Sequence, residues 1–430
     1  MSHYKPYPAY KDSGVEWIGR VPEHWQTLRI KRAAQLRNER RNDAPKGWNY
    51  VGLEDVEPES GSYTPSESSS RQSDDSMVGV FHAGDVLYSK LRPYLRKAIV
   101  ANQDGVCSTE FLVLTAGRAQ APWLHRWLLT PDVTQQIEAG CEGTKMPRAD
   151  WEHIGSIPMP LPPPAEQSAI AAALDRESAR IDALIAKKTR FIELLKEKRQ
   201  ALITYAVTKG LDPNVKMKDS GVEWVGEVPE HWEIRRIGTL YREAARDGEI
   251  GLPVLSISIH DGITDEELGK EDRARRVDLI EDRTKYQKVV PGDLAYNMMR
   301  AWQGGFGAVQ VEGLVSPAYV VAEPIKELSS DYIEKLLRTS MAIEEMRRFS
   351  RGIADFRQRL YWEHFRDLHV CFPPPAEQRG IIDYIQRQTG RIRRIESYTL
   401  RSIELLRERR SALITAAVTG QIDLRGAARS

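Results

Sequence analysis

Four short stretches mix cationic side chains with amides and aromatics in a way that suits a polyanion: SKLRPYLRK, GTKMPR, NMMRAWQ and FRQR. They carry Lys90, Arg92, Tyr94, Arg96 and Lys97; Thr144, Lys145 and Arg148; Asn297, Arg300, Trp302 and Gln303; and Arg357, Gln358 and Arg359. Lysine and arginine neutralise phosphates, while arginine, asparagine and glutamine can pair with guanine or adenine edges in a major groove. A good bidentate pair discriminates against a wrong base by about 1–3 kcal/mol. The chemistry these residues support is recognition of double-stranded DNA. The competing reading of any one of them is a solvated surface charge. Arg92 and Arg300 stand out because they fall at matching positions of a repeat.

Reacting groups are missing from the sequence. It has no G-x-x-x-x-G-K-[ST] phosphate loop, no H-E-x-x-H helix and no G-x-S-x-G elbow. QGGFG at Gln303 reads as a tight loop between strands. The prolines at 162–164 and 373–375 lack the amide or carboxylate and the aromatic of an amino-methyltransferase motif. His24 and His231 each sit between Glu and Trp, where a structural contact is expected rather than a base. Cys107, Cys141 and Cys371 have no metal-type spacing, and their odd number argues against a disulfide framework. No catalytic residue, metal site or cofactor is expected on this chain. The start does not resemble a signal peptide and no apolar run reaches a membrane-spanning length of about 18 residues, so a cytoplasmic protein that contacts no membrane is expected. The net charge of +1 decides nothing, because local clusters set the field that a phosphate meets.

The elements that must carry these stretches are written twice. KDSGVEWIGRVPEHW from Lys11 returns as KDSGVEWVGEVPEHW from Lys218, and GDVLYSKLR from Gly84 as GDLAYNMMR from Gly292. LPPPAEQ from Leu161 returns as FPPPAEQ from Phe372, and IELLKEKRQALITYAVTKGLD from Ile192 as IELLRERRSALITAAVTGQID from Ile403. The flanks of the repeat agree closely, whereas the interiors, roughly 26–160 and 233–371, share little. One architecture is therefore expected to hold two modules that read different things.

After each proline run a long helix is expected, ending at Gly210 and Gly420. Leu174, Ile181, Leu195 and Leu202 recur at heptad spacing with Ile170 and Leu184 on the neighbouring seam; Ile385, Ile392, Leu406 and Leu413 match them, with Ile381 and Ile395 alongside. A helix over 165–208 would be roughly 66 Å long. Each narrow stripe is expected to bury against the other in an antiparallel coiled coil. The interiors read as mixed α and β, and the tract ESGSYTPSESSSRQSDDS as a mobile surface loop. The expected fold class is α+β: two mixed α/β recognition domains, 1–160 and 213–372, joined by two long antiparallel helices, 161–212 and 373–424, with a pseudo-twofold repeat and a tail at 425–430.

PPPAEQ ahead of a long helix ending RQALITYAVTKG or RSALITAAVTG, the doubled GVEWxGxVPEHW and the unlike interiors together resemble the DNA specificity subunits of type I restriction-modification systems. The resemblance implies two target recognition domains, each reading half of a split, asymmetric DNA site, and a helical spacer that docks two copies of a DNA adenine methyltransferase subunit. Through these it implies the restriction and translocase subunits. It also implies a non-catalytic chain, with S-adenosylmethionine, ATP and Mg on the partner subunits. It carries over Pro163, Glu166, Gln167, Pro374, Glu377 and Gln378 as frame positions for partner binding. LRPYLRK is common in the family and MRAWQGG departs from it, so the second reading loop is expected to differ in shape. Trp17, Trp25, Trp224 and Trp232 are expected to brace each domain on the frame. The rival readings are a non-catalytic coiled-coil scaffold, a stand-alone DNA-binding protein and a self-sufficient methyltransferase or nuclease.

Overall fold

Alternation along the strands of two matching sheets organises the fold. The computed structural model describes residues 4–42, 47–59, 61–65, 77–141, 143, 145–259, 262–264, 282–350 and 358–426. The chain divides into two compact units, Met1–Lys188 with Leu400–Ser430, and Thr189–Thr399. The long helices Pro164–Lys209 and Pro375–Val418 each give one segment to each unit. The units thus run across the boundaries expected around 161–212 and 373–424.

In the first unit four antiparallel strands lie in the order Ala34–Arg37, Phe111–Ala116, Val86–Ser89, Ala98–Val100. Side chains alternate between faces along a strand. Leu112, Leu114, Val86 and Tyr88 therefore enter one core with helices Ala121–Leu128 and Pro131–Glu138, while Phe111, Val113 and Leu87 enter another. The second unit repeats the order with Tyr241–Ala244, Tyr319–Pro324, Leu294–Asn297 and Phe306–Ala308, again antiparallel. Leu294, Tyr296, Val320 and Ala322 face helix Ser330–Leu337, and Ala295 and Val321 face the opposite core.

The repeated Gly-Asp starts the same strand in both units. Gly84 and Gly292 take φ of +89° and +96°, a conformation that favours glycine. The buried Asp85 accepts from the His82 N–H at 2.8 Å and pairs with Arg37 at 2.8 Å. Asp293 accepts from the Val290 N–H at 3.0 Å and pairs with Arg246 at 2.5 Å. What lies beyond these strands differs. The first unit adds a mixed sheet of Arg40–Arg41, Val78–Phe81, Gly105–Cys107 and Asn49–Val51, the last pair parallel. Among its described residues the second has, in that place, the pairs Gln287–Val289 with Gly313–Val315 and Ile257–Ser258 with Gly262–Ile263.

The helix segments run antiparallel inside each unit. In the first, Arg425 lies 3.7 Å from Glu166 and Arg410 2.5 Å from Asp182. In the second, Gly210 lies beside Glu377, and Arg199 and Ile203 share a cleft with Ile385 and Thr389. Leu174, Ile181, Leu195, Ile385, Ile392 and Leu413 are buried as the heptads predicted. On the neighbouring seam Ile170 and Ile381 are buried as expected, whereas Leu184 and Ile395 are exposed; Ala171, Ile192, Ile382 and Ile403, one row over, are buried as well. The steps from 171 to 174 and from 192 to 195 are the three-residue half of a heptad, which keeps a stripe facing its partner. Most of the serine-rich tract lies outside the described residues. Cys107 and Cys371 are buried and Cys141 half-buried; burial pushes the Cys107 thiol up to about 12 and the Cys371 thiol up to about 11. Among the described residues no helix is long and apolar enough to cross a membrane, and no three His, Cys, Asp or Glu side chains gather as a metal site.

Candidate nucleic-acid interface

In the first unit the stretch between Val86–Ser89 and Ala98–Val100 forms a single 3-10 turn, Pro93–Leu95, flanked by Arg92 and Arg96 at φ of +50° and +48°. Non-glycine residues rarely adopt this conformation, at a cost of about 1–3 kcal/mol each. A second stretch holds the loop in place: the Arg92 N–H donates to Pro147 O at 2.8 Å, and the Ala149 N–H to Lys90 O at 2.9 Å. SKLRPYLRK and GTKMPR, distant in sequence, thus form one surface. Arg92, Tyr94, Lys145 and Arg148 are exposed on it and Lys90 is half-buried. Glu110 chelates the Arg148 guanidinium at 3.0 and 3.2 Å and raises its pKa further, so it stays charged. Arg96 is half-buried and pairs with Glu59. Lys97 likewise donates to Leu53 O at 2.7 Å. Thr144 lies outside the described residues.

The second unit builds the same device from other residues. Its 3-10 turn is Ala301–Gln303, entered at Arg300 with φ of −126° and left through Gly304 at +87°. Gly304 takes the place of Arg96, and Arg300 lacks the left-handed backbone of Arg92, so the two loops differ in shape at both shoulders. The Leu360 N–H donates to Met298 O at 2.9 Å, which sets Gln358 and Arg359 beside this loop as Pro147 and Arg148 stand beside the other. Arg300, Gln303 and Arg359 are exposed. Trp302 is corrected: it is 8% exposed, its Nε1–H donates to Met299 O at 3.0 Å, and the Arg347 guanidinium covers its ring at 5.1 Å. Its indole packs into the loop. Asn297 is half-buried and its Oδ1 accepts the Met299 N–H at 3.0 Å, a turn role. Arg357 lies outside the described residues.

Both domains are fastened to the helices by the repeated peptides. Glu166 accepts from Trp25 Nε1 at 3.2 Å and Tyr7 Oη at 2.7 Å, and lies 2.7 Å from His24 Nε2. Glu377 accepts from Trp232 Nε1 at 3.1 Å and lies 2.8 Å from His231 Nε2. The neighbouring glutamines tie the helix starts to the domains. Gln167 accepts the Gln120 N–H at 2.8 Å and donates to Pro162 O at 2.9 Å; Gln378 accepts the Ser329 N–H and donates to Pro373 O, both at 2.8 Å. The end of the opposite helix meets the same tryptophan. A Cβ on Gly420 would strike the Pro22 ring at 2.2 Å, and one on Gly210 would sit 3.3 Å from Trp232. Trp25 and Trp232 are fully buried, Trp224 is 7% exposed, and Trp17 stacks on Trp127 at 5.7 Å. Glu166, Gln167 and Gln378 are also buried, and their polar groups make these internal bonds. The repetition of both EHW and PPPAEQ in the two copies was the signal that could have joined them. Nothing local in the sequence indicated that Glu59 and Glu110 partner the loop arginines.

No family model matches the chain. The type I restriction enzyme EcoDI specificity subunit of Escherichia coli is 25% identical over 184 residues, 41% of each chain. The MjaVIII specificity subunit of Methanocaldococcus jannaschii is 31% identical over 101 residues, 24% of this chain and 22% of that one. The matches thus span less than half the length of these curated relatives. Among solved structures, a chain from work on complex assembly and conformational transition of the type I R-M system is 18% identical, with a TM-score of 0.67 over 93% of this chain and 98% of its own. The HsdS subunit from Thermoanaerobacter tengcongensis is also 18% identical, with a TM-score of 0.54 over 94% and 98%. The chain is similar in sequence to type I specificity subunits and has the fold of solved ones, as the resemblance implied.

Proposed function

We propose that this chain is the DNA specificity subunit of a type I restriction-modification complex, with each unit's loop pair reading one half of a bipartite, asymmetric site. One observation carries the reading: the same Trp–His–Glu lock and the same central sheet are built twice, around loops of different composition and backbone. Equal frames with unlike surfaces suit a reader of two unlike half-sites. Arg92, Tyr94, Lys145 and Arg148 serve one half, and Arg300, Gln303, Gln358 and Arg359 the other. The arginines meet phosphates and guanine edges, and the exposed Gln303 has the donor–acceptor pair that suits adenine.

The chain itself transfers no group. Two DNA adenine methyltransferase subunits dock on it, bring S-adenosylmethionine, and carry the restriction subunits with their ATP and Mg. The helix segments supply the docking surface. In the first unit they leave Leu184, Leu400 and Leu405 exposed, and in the second Phe191, Leu194, Tyr205, Ile395 and Tyr398. Apolar rows of this kind on a helix support a protein partner. Adenine methylation mapped across the genome with and without this gene tests the proposal. A split motif methylated only when the gene is present is expected; an unchanged methylation map would overturn it.

A further inference from the structure

One matched difference between the two helix pairs changes the charge that meets an arginine. Residues 171, 178, 185, 192 and 199 recur every seven on the first helix, as do 382, 389, 396, 403 and 410 on the second. The first four in each series, Ala, Ser, Ile and Ile, and Ile, Thr, Glu and Ile, are buried or half-buried; an arginine ends both. An arginine at the edge of such a seam is stabilised by an opposite charge on the facing helix. In the first unit Arg410 has it: Asp182 stands 2.5 Å away. In the second unit the equivalent of Arg410 is Arg199, and the residue in the place of Asp182 is Arg393. Both line one cleft, and among the described residues neither has an ion-pair or hydrogen-bond partner.

The surroundings differ in the same sense. The first unit's cleft is lined by Arg96, Arg407 and Arg410 together with Glu59, Asp132 and Glu408. Among the described residues, the cleft of the second unit is lined by Arg199, Arg393, Lys335 and Arg338, with Thr389 and Gln303, and by no acid. Glu334, bonded to Lys335 at 2.9 Å and Arg338 at 3.2 Å, compensates part of that charge. Two unpaired arginines across a helix pair repel, an arrangement that a bound anion relieves. Gln303 belongs to the turn that presents Arg300, so an anion bound here lies beside whatever occupies the reading loop.

We infer that Arg199 and Arg393 clamp a phosphodiester of the DNA backbone, so that the second unit's helix segments, and not the first's, take part in holding the duplex. This rests on the DNA-reading function proposed above. The clamp adds affinity without sequence information, because a phosphate is the same at every base pair.

The test uses the chain assembled with its methyltransferase subunits and a labelled duplex carrying the motif found by methylation mapping. Arg393→Asp recreates the Asp182–Arg410 pair, so melting at or above the wild-type temperature is expected. Affinity for motif and unrelated duplexes should fall by the same factor, and the slope of log K against log salt should shrink by about 0.9 for each phosphate lost. Arg393→Gln, which adds no charge, should give the same direction with a smaller change. If wild type prefers its motif while both variants keep its affinity and salt slope, the clamp is overturned and the DNA-reading function stands. If wild type shows no preference, that function fails first. A melting temperature raised by inorganic phosphate in wild type but not in Arg393→Asp, with unchanged duplex slopes, would mark a free-anion site and also overturn the clamp.

Discussion

Glu377 accepts from the Nε1–H of a fully buried Trp232, and a buried donor left without its acceptor costs about 1–3 kcal/mol. Glu377→Ala should lower stability by that amount, and Glu166→Ala by more, since Tyr7 also loses its acceptor; chemical denaturation of the two variants checks the order. His125 gives a pH dependence. Burial pushes its pKa down to about 4, against a raising effect of its bond to Ala98 O at 3.0 Å. An unfolded histidine titrates near about 6.5, so between about pH 6.5 and 4 the unfolded chain binds a proton that the folded one refuses. Stability is complete above that window and is lost as pH falls through it. His125→Gln should flatten the profile of melting temperature against pH, and an equally steep profile in the variant would contradict the assignment. Single residues were the least legible scale. Arg92 and Arg148 are exposed where the sequence placed them, but Trp302 folded inward because its indole N–H meets Met299 O across the turn, a contact set by backbone shape.

Helices and strands were far more legible, because periodicity is a property of many residues at once. The heptads located most of the buried stripe, with Leu202 and Leu406 half-buried; in the adjacent row Ile170 and Ile381 are buried, and Ile192 and Ile403 are buried where Leu184 and Ile395 are exposed. Ile192→Ala should therefore cost about 2–5 kcal/mol, whereas Leu184→Ala should change stability by less than about 0.5 kcal/mol; comparable losses would return Leu184 to the seam. The central strands were visible as apolar runs bounded by Gly-Asp. The second sheets were not: Asn49–Val51 and Arg40–Arg41 pair with strands far along the chain, and short polar segments owe their strand state to those partners.

At the scale of the whole molecule the repeat was read from sequence almost completely, since identical flanks demand identical frames. What escaped was the reason for the flanks: each EHW peptide binds the start of one long helix through a glutamate and the end of the other through a glycine. If the helices set the separation of the two readers, seven residues added to each would keep the heptad and lengthen the pair by about 10 Å, near three base-pair rises of about 3.4 Å. The unread spacer of the methylated motif should lengthen accordingly, with both half-sites unchanged. The most direct measurement replaces residues 26–160 with the corresponding domain of another type I specificity subunit and maps adenine methylation in cells that carry the hybrid. The account predicts that one half of the split motif changes and the other stays; a motif altered in both halves, or in neither, would contradict it.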